Sequence, residues 1–226
     1  MLRHRTAGLG LEAAIRRLST TPAEASTSLY GELRRLHPDL EPQLLSKGSM
    51  LALSNALEDE CCARAHRPLL FAGFQQGRFL RASYARWVEL ARTATRAVVF
   101  ADLDDPAPVR PGLPVEVPVP YDAPINREWF VVCDAADRPA CLVGWERPGQ
   151  PSSPDTNRRF EAVWSVDPAV VRDAARICAG LTDALRPSGE PLTWPELSDA
   201  PAPGSADLRR ASQVVNRMIG YLEATR

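Results

Sequence analysis

Two short apolar runs with a helix-length segment between them set the terms for this chain. Residues 68–74 read PLLFAGF and residues 97–100 read AVVF, separated by QQGRFLRASYARWVELARTATR. Unbroken Leu69, Leu70 and Phe71 fit a strand buried on both faces, as in the middle of a sheet. Tyr84, Trp87, Val88 and Ala91 recur at helical spacing and mark the inner face of the intervening helix. Strand, helix, strand is the pattern of a βαβ unit, which needs a sheet with a covered face. The run from Ser46 to Asp102 therefore specifies an α/β domain.

The flanking sequence extends this frame. A short helix is expected from Ser28 to about His37, stopped by Pro38 because the residue before proline avoids the helical region. A longer helix, about Ser49 to Ala65, carries Leu53, Leu57 and Cys61 at intervals of four, joined by Met50, as its apolar stripe. Glu58, Glu60, Arg64 and Arg67 fall on the polar side of that reading. Seven prolines between residues 106 and 124 forbid helix and leave only an edge strand at Val115–Val119. Strands are expected at Glu128–Cys133, Ala140–Glu146 and Phe160–Val166, the first two antiparallel across the turn Asp134–Pro139. The connection 147–159, rich in Pro, Ser and Gly, is expected to be exposed.

Asp167 followed by Pro168 marks a helix start, with Val166 and Val171 placed for a hydrophobic staple. A stripe of Val170, Val171, Ala174, Ile177, Cys178, Leu181 and Leu185 follows. The final helix, from about Ser205, presents Leu208, Ala211, Val215, Met218 and Leu222 as its stripe. Near the N-terminus, Leu11, Ile15 and Leu18 fall at helical spacing in an otherwise weakly specified arm. The fold class is α/β (α+β): one mixed sheet of five or six strands with packed helices. Its divisions are an arm over 1–27, a domain over 28–186, a Pro-rich linker over 187–204, and a C-terminal helix over 205–226 that packs on the domain or a partner.

Composition removes several functions. With 27 Lys+Arg against 28 Asp+Glu the net charge is -1, and no basic cluster is long enough to grip nucleic-acid phosphates. Five cysteines with no CxxC spacing argue against a disulfide framework or a structural zinc site. Unpaired thiols suit a reducing compartment, and the first 20 residues lack the apolar core of a signal peptide, so a cytoplasmic location is expected. No stretch is long enough to span a membrane. His4, His37 and His66 are scattered, and neither a GxSxG, a GxGxxG nor a P-loop occurs. No catalytic residue and no metal ligand follow from such a pattern, and a cofactor stays unknown.

Positions beside the central strands remain as candidates. Phe74-Gln75 ends the first of them, where open α/β sheets bind ligands; the structural alternative makes Gln75 a helix cap and Phe74 core. Asp102, Asp104 and Asp105 follow the second, where acidic groups can hold Mg²⁺; a solvated turn is the simpler reading. Glu128-Trp129 and Trp145-Glu146 lie on paired strands, with the tryptophans as core or pocket wall and Glu146 paired to an arginine.

Taken together, LSNALEDECCARA, RPLLFAGFQQGRFLRASYARWVELARTA, AVVFAD, REWFVVCDA and ACLVGWERPG resemble the DICT sensory domain, over roughly residues 28 to 185. This is a bacterial signalling module found with diguanylate cyclases and two-component systems, and in actinobacteria behind MerR-type helix-turn-helix segments. The helix with Glu58, the Phe74-Gln75 pair and the Glu128-Trp129 pair carry the resemblance. It implies a non-enzymatic input domain that passes a stimulus, light or stress, to an output module in transcriptional control. The first 27 residues are too short for such an output, so the chain is expected to act through an output regulator protein or self-association, with a small-molecule ligand. Direct nucleic-acid or membrane contact is not expected. On this reading Glu58, Phe74, Gln75, Arg78, Tyr84, Glu128 and Trp129 line a sensing pocket. The alternatives are a protein-interaction module without ligand and, further off, a small-molecule enzyme using the Asp102–Asp105 cluster and a metal.

Overall fold

The computed structural model describes residues 28–150, 158–186 and 192–224. The expected N-terminal arm lies outside the described residues, as do parts of the two Pro-rich connections. In chain order the elements are α1 (Leu29–Leu36), β1 (Gln43–Ser46), α2 (Lys47–Leu57), β2 (Leu69–Gln76), α3 (Gly77–Thr93), β3 (Arg96–Asp102) and β4 (Val115–Pro118). They continue with β5 (Glu128–Asp134), β6 (Ala140–Glu146), β7 (Arg159–Ser165), α4 (Pro168–Leu185) and α5 (Ala206–Ala224). The strands form one mixed sheet in the order β1-β7-β6-β5-β2-β3-β4.

β2, β3 and β4 run parallel, as the strand–helix–strand reading requires, and the remaining neighbours are antiparallel. The sheet has seven strands, not five or six. The additional one, β1, is a four-residue edge strand, QLLS, with a single buried residue, and pairs with β7. A segment that short and polar has no alternation to read.

Helices cover both faces. On the first, α1 and α4 pack on Leu69, Phe71, Val98, Phe100, Phe130, Val132 and Val143. On the second, α2 and α3 cover Leu70, Ala72, Val99, Val131, Leu142 and Ala162. The central strands are thus apolar on every residue because each face meets a helix layer. Gly144 allows the close approach of α2, since a Cβ there would meet Met50 Cε at 2.5 Å. α4 begins as its sequence predicts: the Asp167 carboxylate accepts from Ala169 N at 3.0 Å, with Pro168 in the first turn.

Two helices depart from their apolar stripes. α2 ends at Leu57 and widens into a π-turn over Glu58–Cys62. Its buried residues, with those of the turn, are Met50, Ser54, Glu58 and Cys62, one residue away from the expected Leu53–Leu57–Cys61 line. α5 has no buried residue. It lies against the β1–β7 edge through half-buried Ile219, which packs on the cluster around Leu45 and Phe160, and through polar contacts: Trp164 Nε1 donates to Asn216 Oδ1 at 3.1 Å, Ser46 N donates to the Glu223 carboxylate at 3.1 Å, and Arg159 pairs with Glu223 at 3.0 Å. Val215 and Met218 from the expected stripe are exposed, together with Val214 and Tyr221. The linker before α5 is anchored too. The Trp194 ring lies 5.6 Å from that of Phe71 and 4.7 Å from the Arg96 guanidinium.

Candidate functional site

A cavity of about 280 Å³ opens between α2 and α3, over the ends of β2 and β5. Helical geometry selects its walls. On α3, Phe79, Ala82, Ser83 and Arg86 recur at i, i+3, i+4 and i+7 and face α2, while Leu80, Trp87 and Ala91 face the sheet. On α2, Lys47, Leu51, Ser54, Asn55 and Glu58 line the opposite side. Gly73, Phe74, Gln75 and Trp129 form the floor, and Arg158 closes one end.

Gln75 is the conformational oddity of the site. Its φ is 60°, in the left-handed region that a residue with a Cβ seldom occupies. It sits where β2 breaks register with β3, between Gly73 and Gln76. Such strain costs on the order of 1–3 kcal/mol and persists only where surrounding contacts enforce it. Those contacts are polar. Gln75 Nε2 donates to Glu146 Oε2 at 3.0 Å, and Arg158 donates to Gln75 Oε1 at 2.5 Å. Arg158 also pairs with Glu146, its Nε at 2.9 Å from Oε1. Gln75, Glu146 and Arg158 thereby tie three elements into one network at the cavity end.

At the other end Arg86 pairs with Glu58, and reaches Asp59 at 2.7 Å. Burial raises the Glu58 carboxyl above its ordinary range, with the Arg86 charge and hydrogen bond opposing the rise. Between the two ends, the Ser54 hydroxyl is 3% exposed and has no hydrogen-bond partner.

Of the seven residues singled out in the sequence, Glu58, Phe74, Gln75 and Trp129 meet at this cavity. Arg78, Tyr84 and Glu128 do not. Arg78 precedes Phe79 by one helical step and faces an open cleft with Arg81, Asp102, Asp104 and Asp105. Tyr84 turns toward β4, where its hydroxyl meets Glu116, and burial with that contact raises the phenol. Glu128 is separated from Trp129 by strand alternation: neighbours on β5 point to opposite faces. Its carboxylate, 0% exposed, accepts from Ser28 Oγ at 2.6 Å and from Tyr30 N at 3.2 Å. Glu128 therefore caps the N-terminus of α1 from the sheet face that α1 covers. Burial pushes its carboxyl up to about 7 from an ordinary 4.5, with the Ser28 hydroxyl and the α1 N–H groups opposing.

Sequence reasoning missed Lys47, Ser54, Phe79, Arg86 and Arg158 as cavity residues. A signal existed for one of them: Ser54 stands four residues after Met50 and four before Glu58, polar groups on a line that turns out to be buried. Among the described residues, no group of three or more His, Cys, Asp or Glu is placed to hold a metal ion. All five cysteines are free. No described helix is long and apolar enough to cross a membrane.

A family model for DICT, the sensory domain in diguanylate cyclases and two-component systems, matches residues 27–147. No curated protein and no solved structure matches the chain. The match spans α1 through β6 and holds every cavity residue except Arg158; β7, α4 and α5 lie beyond it. With more than half of the 226 residues matched, the chain belongs to the DICT family of sensory domains found in signalling proteins.

Proposed function

We propose that this chain is a non-catalytic input module whose stimulus is a small molecule held between α2 and α3. The observation that carries the reading is the union of a cavity with a strained Gln75 at its end, held on both sides of its amide by Glu146 and Arg158. A ligand pressing on the Gln75–Glu146–Arg158 network shifts a segment whose conformation is already costly, and such segments are the ones that switch. β5 supplies a route onward. Trp129 touches the cavity on one face, and adjacent Glu128 holds the N-terminus of α1 on the other. A small displacement of this strand end alters the capping of α1, the helix that leads into residues 1–27. The output is another regulator protein, in transcriptional control linked to light or stress. Gln75→Ala tests this reading: the variant folds but no longer changes its α1 hydrogen-exchange protection when the stimulus is supplied. A variant that responds as well as the wild type refutes the role of the network.

A second reading, an interaction module without ligand, has its own observation. On α5, Ala211, Val214, Met218 and Tyr221 follow the a and d spacing of two heptads on the outward face. Met218 is 55% exposed and Val214 61%. Arg210 and Arg217 flank this seam at g positions. In a parallel pair they face Val215 and Leu222 of a second copy; antiparallel pairing brings the arginines together. Self-association through α5 is thus the form this reading takes. Light scattering on the full chain and on Val214→Asp/Met218→Asp decides it: a dimer that dissociates in the variant supports the reading, and a monomeric wild type ends it.

A further inference from the structure

We infer that the α2–α3 cavity takes a small, neutral, ring-bearing molecule that carries a hydroxyl or carbonyl group. The inference rests on the reading of this cavity as the sensing site and specifies its ligand chemistry. Three observations converge. The first is that every charge on the walls is already engaged within the protein. At one end Arg86 pairs with Glu58 and reaches Asp59 at 2.7 Å. At the other, Arg158 pairs with Glu146, its Nε at 2.9 Å from Oε1, and donates to Gln75 Oε1 at 2.5 Å. The other side of the Gln75 amide donates to Glu146 at 3.0 Å, which closes that network on itself. Lys47 is engaged as well, its ammonium 5.4 Å from the centroid of the Phe79 ring. A ligand of either sign therefore gains an ion pair only by breaking one that exists, and the broken pair leaves a desolvated charge behind. Burial raises the Glu58 carboxyl even with Arg86 beside it, the mark of a setting that disfavours ions. A neutral molecule meets neither obstacle.

The second is the shape of the apolar wall. Phe74 and Trp129 are held in place by edge-on contacts, Phe74 to Trp87 at 5.8 Å between centroids and Trp129 to Phe160 at 5.7 Å. With Phe79 they present ring surface to a slot whose 280 Å³ lies at the small end of ligand pockets. Flat bodies fit such surfaces by offset or edge-on stacking.

The third is the Ser54 hydroxyl, on the α2 wall between the two charged networks, 3% exposed and without a hydrogen-bond partner. A buried hydroxyl left unpaired is costly, and one oxygen on the body of a ligand removes that cost. Because a serine hydroxyl both donates and accepts, either a hydroxyl or a carbonyl on the ligand serves. Asn55 on the same wall and Ser83 on α3 are polar and likewise uncharged.

The test uses the full chain and three probes of one ring system that differ in charge: 2-naphthylmethanol, 2-naphthoate and 2-naphthylmethylamine. Calorimetry and thermal shift are run at neutral pH and physiological salt with wild type, Ser54→Ala and Ala82→Trp. The expected result is that the alcohol binds on the order of tenfold or more tighter than either ion. Ser54→Ala weakens the alcohol by roughly threefold to tenfold. Ala82→Trp, which fills the slot from an exposed position on α3, abolishes binding while its melting remains cooperative. If either ion binds as tightly as the alcohol and Ala82→Trp blocks it, the neutral class is wrong but the cavity remains the sensing site. If Ser54→Ala binds the alcohol as well as the wild type does, the assignment of the ligand's polar group is overturned in the same way. If no probe binds, or if Ala82→Trp changes nothing, both the ligand class and the cavity reading fall.

Discussion

Replacing Glu128 by Gln isolates one buried titration. The carboxyl is fully buried, and its pKa rises from an ordinary 4.5 to about 7. That rise corresponds to about 3 kcal/mol of differential stability between the two protonation states. Its sign follows from linkage: the folded state holds the proton more tightly, so the contribution is complete below 4.5 and is lost as pH climbs through 7. Two effects compete at this site. Burial penalises the anion, while the Ser28 hydroxyl and the first N–H groups of α1 favour it. Burial is the larger. Gln is nearly isosteric, its oxygen can accept from Tyr30 N, and it carries no charge at any pH. Tyr30 keeps its Glu161 partner at 2.6 Å, and the Cys178 thiol, raised by burial first and by the Glu128 charge second, stays protonated in this pH range in both proteins because burial remains. The stability of Glu128→Gln minus that of the wild type therefore rises by about 3 kcal/mol between pH 4.5 and pH 8. Urea unfolding followed by tryptophan fluorescence at a series of pH values reads this difference directly. A flat difference, or a wild type that gains on the variant as pH rises, shows that the helix N-terminus outweighs burial and refutes the argument.

Other expectations concern single contacts. Gly73→Ala drives a Cβ into the rigid ring of fully buried Phe130 and costs about 1–3 kcal/mol by chemical denaturation. Arg172 pairs with buried Asp134 at 2.6 Å, so Arg172→Leu leaves that carboxyl uncompensated and costs about 3–5 kcal/mol. Asp167→Ala removes the cap of α4 and lowers stability by about 1 kcal/mol without altering the cavity. For Gln75→Gly, the left-handed φ becomes unstrained while the side-chain network is lost; its stability stays within about 1 kcal/mol of the wild type, and that of Gln75→Ala falls below it, in the same unfolding assay.

The parts of the fold written in local pattern could be read from the residues. The β2–α3–β3 unit follows from apolar runs on either side of a helix-length segment, and the β5–β6 pairing from a hairpin-length turn. The start of α4 is spelled out by Asp167-Pro168. What escaped reading depended on tertiary contacts. β1 is four residues long and becomes a strand only because β7 presents an edge. The α2 stripe lies one residue away from the most apolar line because Ser54 and Glu58 face a cavity rather than packed core. The α5 stripe points outward because that helix is held through Asn216, Ile219 and Glu223, which lie off the stripe. Glu128 and Trp129 looked like one motif, and strand alternation puts them on opposite sides of the sheet. Arg158 could not be placed, because nothing near it in sequence indicates that it meets residues 75 and 146.

The most direct test of the sensing cavity is native mass spectrometry on the full chain purified gently from its own host, alongside Ala82→Trp. That substitution fills the slot from the α3 side, at a position on the cavity wall rather than in the packed core. A bound small molecule should appear as excess mass on the wild type and be missing from the variant. The same excess mass on both proteins, or a bare polypeptide in both, contradicts the account.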